Sequence, residues 1–406
     1  MNFYTWTMAL ALALVLTSCD VFAPGAPAPD ATLVGPMSEL TAEQRQAHLR
    51  GDEEFGRVFG RFDGLGPIFV SSSCEGCHAG DGKGHPSTFL TRYGRMTPTG
   101  FDPLSSLGGP QLQHLAVYGH VGESIPIEAT GVSRLMAPSV AGLGFLEAVD
   151  DATILALADR LDANGDGISG IPNYSEPPDF VSPLPAHVPL NGKYIGRFGR
   201  KAGTIDLLQQ VATAYLQDMG VTSDFFMKDL HNMQSGPITG DDAPDPEVSA
   251  NIVHRVAFYL RTLRAPERRN ASDAAVKNGE RHFAAVGCAS CHVPTLTTGA
   301  STLAPLDRRE FHPYTDLLLH DMGPELDDGY TEGTATTSEW RTTPLWGLGL
   351  SGASQGGTGF FLHDGRAHTL NDAIMLHGGE GAQSRGLYQA LSETERRELL
   401  LFLESL

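Results

Sequence analysis

Cysteine is scarce in this chain: five among 406 residues, four of them confined to two pentapeptides, so none is left over for a structural disulfide. Long apolar runs are short as well. The N-terminal run Met8–Leu16 cannot cross a bilayer and has the length of a signal-peptide core, so it stands outside the fold. Positive charge is also in deficit. Lys and Arg number 28 against 48 Asp and Glu, a net charge of -20, which argues against nucleic acid as a partner and for a cationic one.

What is abundant is glycine and proline, at 47 and 26 residues, which implies many turns and long ordered loops. The length allows two or more domains with cores of their own. Into this loop-rich background are set Cys74-Glu75-Gly76-Cys77-His78 and Cys288-Ala289-Ser290-Cys291-His292. In a C-x-x-C-H turn, two thiols are spaced to bond the two vinyl groups of one haem, and the next residue offers an imidazole to the iron. Two C-x-x-C pairs also suit one Cys₄ zinc site or two redox dithiols. Neither of those needs a His after the second Cys, twice over, so two covalently bound c-type haems are expected, with His78 and His292 as iron ligands.

Cys19 closes the apolar run, and Leu16-Thr17-Ser18-Cys19 resembles the lipobox of bacterial lipoproteins, in which that Cys is lipidated and becomes the mature N-terminus. The expectation is a signal peptide over residues 1–19 and a periplasm-facing lipoprotein of the bacterial cell envelope, on either the inner or the outer membrane. Residues 20–40, with Pro24-Gly25-Ala26-Pro27-Ala28-Pro29, read as a semi-extended tether from the lipid anchor. Export agrees with the haem reading, because c-type haem is attached outside the bacterial cytoplasm.

Beyond the tether the sequence predicts a mainly α, loop-rich fold. Thr41-Ala42-Glu43-Gln44 has the form of a capping box opening a helix towards Phe59. Apolar residues at helical spacing predict further helices over Asp151–Leu161, Ile205–Leu216 and Val248–Leu263, the last stopped by Ala265-Pro266. Ser272 or Asp273 caps a helix that delivers Cys288, and Ser392-Glu393-Thr394-Glu395 opens the terminal helix. Helix, C-x-x-C-H, long loop and terminal helix make up the layout of a class I cytochrome c domain. Two such domains are expected, at 41–267 with a long insertion and at 268–406.

Two such units in one exported chain look like the bacterial di-haem cytochrome c peroxidase and MauG superfamily. The strings Arg197-Phe198-Gly199-Arg200-Lys201-Ala202, Tyr314-Thr315-Asp316-Leu317-Leu318-Leu319-His320-Asp321-Met322-Gly323 and Phe361-Leu362-His363-Asp364-Gly365-Arg366-Ala367 resemble its di-haem oxidoreductase branch. The resemblance implies a C-terminal haem with two protein ligands that receives electrons, and an N-terminal haem with an open or openable site for peroxide. In Thr369-Leu370-Asn371-Asp372-Ala373-Ile374-Met375-Leu376-His377, His377 occupies the place of the family's Met or Tyr ligand, with Met322 and Met375 as alternatives. A plain reading of His377 is a dipole-stabilised helix C-terminal His.

For the N-terminal haem the resemblance places Gln113 and Glu123 above the iron. Such a carboxylate can take and return the proton of H₂O₂ while the amide orients it. His85, His114 and His120 are near enough in sequence to be displaceable ligands, though solvent-facing roles are commoner for such residues. No Trp lies between Thr7 and Glu339, so Trp340 or Trp346 would have to stand in for the Trp often found between the haems of relatives. Asp162-Ala163-Asn164-Gly165-Asp166-Gly167-Ile168 follows the first half of a calcium loop, with Asp162, Asn164, Asp166 and Ile168 as ligands. Asn173 stands where a bidentate Glu belongs. The expected function is therefore reduction of hydrogen peroxide or another small oxidant, with a cytochrome or cupredoxin, basic in character, as electron donor. An electron-transfer cytochrome without turnover and a MauG-like oxidase of a partner protein are the alternatives.

Overall fold

The helices begin where their caps dictate. Thr41 Oγ1 accepts the Gln44 amide while Gln44 Oε1 accepts the Thr41 amide, and α1 runs Ala42–Phe55. In this computed structural model, which describes residues 31–235 and 240–406, α2 covers Asp151–Leu157, α3 Leu207–Met219 and α4 Ala250–Thr262. The Asp273 carboxylate caps α5, Ala274–Ala285, and Thr369 caps the short α6, Leu370–Met375. Ser392 and Glu395 close a second capping box at the head of α7, Glu393–Ser405. The expected signal peptide, Cys19 and the first part of the tether lie outside the described residues.

Two sequence expectations need correction. Helix α2 stops at Leu157 rather than Leu161, because the Asp159 carboxylate takes the amides of Ala163 and Asn164 and Leu161 is left exposed with no apolar face to join. The tether also ends earlier than residue 40. Leu33, Met37 and Leu40 are all buried, and the Met37 amide donates to the Thr262 carbonyl at the end of α4. Apolar residues placed among the prolines were enough to anchor that stretch.

Packing repeats one device in both halves. α1 crosses α4 at Gly51, where a Cβ would collide with the Arg255 carbonyl oxygen, and α5 crosses α7 at Gly279, where it would collide with the Glu398 carbonyl oxygen. Four residues after each glycine, on the next turn, comes a phenylalanine: Phe55 beside His78, ring centroids 6.1 Å apart, and Phe283 beside His292, 6.4 Å apart. Each glycine lets the backbones approach far enough for that ring to reach its histidine.

Around these pairs lie two principal apolar cores. The larger holds α1, α3 and α4 with Leu146 and Ile154, and it recruits Leu296, Phe311, Leu317, Leu318 and Trp346 from beyond the boundary expected at 267/268. The second holds α5 and α7 with Tyr314, Phe361 and Tyr388. Leu33–Leu406 is thus one compact unit. Strands are few and short. β1, Leu90–Thr97, is the centre of an antiparallel sheet between β2, Gly100–Asp102, and β3, Gly131–Leu135, with Tyr93 opposite Val132. β4, Leu319–Asp321, pairs antiparallel with β5, Glu339–Arg341, setting His320 opposite Trp340.

Because Gly279 faces backbone rather than a movable side chain, Gly279→Ala should destabilise the fold by about 1–3 kcal/mol, as overpacking does. A chemical-denaturation midpoint unchanged from wild type would show that the crossing tolerates a methyl group.

Candidate functional site

Each pentapeptide folds as a turn closed on its first cysteine. The amides of Cys77 and His78 donate to the Cys74 carbonyl, at 3.1 and 2.9 Å, and the amide of His292 donates to the Cys288 carbonyl at 3.0 Å. The four thiols are free, and burial pushes those of Cys74 and Cys288 up to about 12. No group of four cysteines comes together among the described residues, so a single Cys₄ zinc site has no geometric basis.

The C-terminal motif opens into a cavity of about 210 Å³. His292 Nδ1 lies 3.0 Å from the Tyr314 carbonyl and His377 Nδ1 lies 2.7 Å from the Ala373 carbonyl. With each Nδ1–H donated to backbone, the proton placement being assigned from these partners, each Nε2 is left as an unprotonated ligand atom. Both imidazoles line the cavity, and both are held neutral: burial lowers His292 to about 4 and lowers His377 as well. The plain reading of His377, bonded to the last turn of its helix, is satisfied through Nδ1 without using Nε2. Met322 also lines this cavity, whereas Met375 packs into the core of α5 and α7.

The N-terminal motif faces a larger cavity of about 590 Å³. Among the described residues, His78 is the only histidine on its wall. Its Nδ1 is shut off from solvent without a partner, and burial lowers its pKa to about 4. His85, His114 and His120 line neither cavity; His85 is exposed, with Nδ1 on the Ser87 hydroxyl. A thiol pair, a neutral imidazole and an adjoining cavity, present twice, fit two haems.

Gln113 and Glu123 are brought together but stand one layer behind that wall. Glu123 accepts the Gln113 amide at 3.0 Å, and Gln113 Nε2 donates to the Gln217 carbonyl, Gln217 being a wall residue. Desolvation raises the Glu123 carboxyl to about 7. The carboxylates on the wall itself are Asp218 and Glu332. Glu332 accepts the Tyr330 hydroxyl at 3.1 Å and sits 3.6 Å from the Arg92 guanidinium. Sequence reasoning missed both, since each reaches the cavity from a segment far from Cys74 and no local pattern marks it.

Trp340 lines the C-terminal cavity and Trp346 the N-terminal one. Trp340 is held between the His363 ring, 3.7 Å away and nearly parallel, and the Lys201 ammonium, 3.7 Å over its face. Sequence reasoning also missed His320. It lies between Asp316, 2.8 Å from Nε2, and Glu380, 2.6 Å from Nδ1, and these carboxylates raise it to about 12 against the effect of burial. The loop Asp162–Ile168 keeps its oxygens for its own backbone: Asp162 takes the Gly167 amide, Asn164 the Asp166 amide and Asp166 the Ile168 amide. Asn173 is buried elsewhere, bonded to Lys201, Glu332 and Thr334, and does not complete a calcium shell.

The family model described as "Di-haem oxidoreductase, putative peroxidase" matches residues 130–406. No curated protein matches. Among solved structures, the chain is similar to hydrazine synthase of Kuenenia stuttgartiensis, at 16% identity and TM-score 0.36 over 95% of this chain and 97% of that one. It is also similar to a MauG-like protein associated with microbial copper homeostasis, at 16% identity and TM-score 0.31 over 65% of this chain and 87% of that one.

Replacing His377 tests the C-terminal site. His377→Met should leave that haem six-coordinate and raise its midpoint potential, because a thioether donates less to ferric iron than imidazole. An unchanged potential and spectrum would remove His377 from the coordination shell.

Proposed function

The chain belongs to the di-haem oxidoreductase family, and on that premise we propose that it reduces hydrogen peroxide at the N-terminal haem with electrons entering through the C-terminal haem. The observation that carries this reading is the inequality of the cavities: of the four histidines on the wall of one, His292 and His377 give Nδ1 to backbone and leave Nε2 free, while the other has His78 alone among the described residues and more than twice the volume. When bound, haem would supply the redox chemistry, with His78 holding one group and His292 and His377 the other. The balance is H₂O₂ + 2 e⁻ + 2 H⁺ → 2 H₂O.

The protein's own part is proton handling and exclusion of water. Glu123, raised to about 7, is proposed to accept the peroxide proton and return it to the leaving oxygen, with Gln113 and Gln217 joining it to the cavity wall. His292 and His377 hold the electron-entry haem, and His78 holds the reactive one. The thiols Cys74, Cys77, Cys288 and Cys291 are proposed to fix the haems covalently. We further propose that the protein is a lipoprotein anchored through Cys19 and facing the periplasm, where a basic cytochrome or cupredoxin donates electrons to its acidic surface. A second reading, electron transfer without peroxide turnover, is favoured by one observation: Gln113 and Glu123 stand behind the cavity wall rather than on it.

Absorption and EPR spectra of the holoprotein, ferric and half-reduced, decide between the two. One high-spin haem that responds to peroxide is expected; two low-spin haems inert to peroxide in every redox state would sink the peroxidase reading. Glu123→Gln should lower turnover by about 10²–10⁴-fold, as loss of a general acid–base does, while Glu332→Gln should cost less than about tenfold. The opposite ranking moves the role to Glu332. Since the base must be ionised to take a proton, kcat/KM should fall as pH drops through about 7, and this limb should vanish in Glu123→Gln.

A further inference from the structure

The two cavities share a wall, and three of its members are cations: Lys83, Arg200 and Arg341 line both. Among the described residues none of the three forms an ion pair. Arg200 donates from Nε and Nη2 to the Met136 carbonyl, at 3.0 and 2.6 Å, and Arg341 donates to the Gly199 and Thr342 carbonyls, at 3.0 and 3.2 Å. The Lys83 ammonium has only the face of Phe361, 5.4 Å from the ring centroid. Carbonyl oxygens and a ring face supply partial charge, not a counter-ion.

Three cations held together without an anion, Arg200 and Arg341 buried and Lys83 half-buried, are costly, and such an arrangement persists where a ligand supplies the missing charge. The strain is visible in their titration. Burial pushes Lys83 down to about 7, Arg200 to about 9 and Arg341 to about 10, helped by Arg200 beside Lys83 and by Arg341 beside Arg200. Carboxylates do lie in the neighbourhood, Asp364 towards Arg200 and Asp316 towards Arg341, but Asp364 pairs with Arg366 and Asp316 with His320.

We infer that Lys83, Arg200 and Arg341 form one carboxylate-binding site shared by both prosthetic groups, receiving propionate side chains from each haem on the wall between the cavities. Haem chemistry supports the placement. The vinyl groups that bond the C-x-x-C thiols and the two propionates lie on opposite edges of the macrocycle, so a haem fixed by its cysteines at one edge of a cavity presents carboxylates at the other. The fork of an arginine suits a carboxylate with two parallel bonds, whereas Lys83 offers a point charge with three free donors. Sharing makes the wall an electrostatic link: any change of charge on it is felt at both irons. The inference rests on haem in both cavities and is independent of peroxide turnover.

Potentiometric titration of the holoprotein, following the two haems separately, tests it with Lys83→Gln, Arg341→Gln and the charge-keeping Lys83→Arg. Removing a cation beside the propionates favours ferric iron, so each Gln variant should lower both midpoint potentials, while Lys83→Arg should leave both near wild type. A shift confined to one haem, or none at either, would overturn the shared site. So would a shift of both wild-type potentials on addition of inorganic phosphate, which would mark the wall as a site for a free anion. Should Arg341→Gln fail to fold, Lys83→Gln decides alone, since its ammonium supports no backbone group. A protein inert to peroxide would remove the proposed function and leave these potentials to be judged separately.

Discussion

Charge taken out of water must be balanced, and the interior of this protein is arranged around that requirement. The chain carries 48 acidic against 28 basic residues, yet the side chains buried at its centre include a series of cations. Arg197 is neutralised by Asp151 at 2.6 Å, both fully buried, and gives further protons to the Val149 and Ile195 carbonyls. Lys201 has no counter-ion among the described residues, only the carbonyls of Thr337 and Glu339 and the face of Trp340, and burial lowers it to about 8. His320 is clasped by two carboxylates. The same rule applied to Lys83, Arg200 and Arg341 leaves a remainder, and that remainder falls where two cavities meet. Acid on the outside and uncompensated base within is the pattern of a shell built around anionic guests.

How much of this was legible in the sequence depended on range. Features whose partners lie within a turn were read correctly: the capping boxes at Thr41 and Ser392, the cap at Asp273, and the two C-x-x-C-H turns all have their causes within five residues. His377 was legible because family-like spacing fixed its place after the Thr369 cap, and the structure turns it to the same cavity as His292. What the sequence concealed is what the tertiary fold assembles from distant segments. Glu332 reaches a cavity whose cysteines lie some 250 residues earlier in the chain, and the cationic wall draws on residues 83, 200 and 341. Gln113 and Glu123 show the reverse: their spacing was right for a pair, and they do meet, but the loop that carries them packs behind Gln217. Local periodicity also misjudged the end of α2, where a carboxylate with two amides to hold outweighed helix propensity.

The two halves differ in a way that their shared scaffold makes plain. Each has a helix crossing, a C-x-x-C-H turn and a phenylalanine set against the ligand histidine. In one half a short helix, α6, returns a second imidazole to the cavity; in the other the returning segments are β1, β3 and the end of α3, which bring Leu90, Leu135 and Gln217. The end of α3 also brings Tyr215, Asp218 and Met219 to that wall, but none of these segments brings a second histidine. What distinguishes the two cavities is therefore which secondary structure element comes back across each.

The glycine crossings at Gly51 and Gly279 bear on how such a protein changes over time. Because the separation of each helix pair is set by one backbone lying against another, it does not depend on the side chains that fill the remaining interface. Those side chains are free to be exchanged, one apolar group for another, while the distance from helix to histidine is conserved by geometry alone. Two glycines and two phenylalanines thus set the distance from helix to histidine in both halves, and volume-conserving exchanges elsewhere in the interface leave it unchanged.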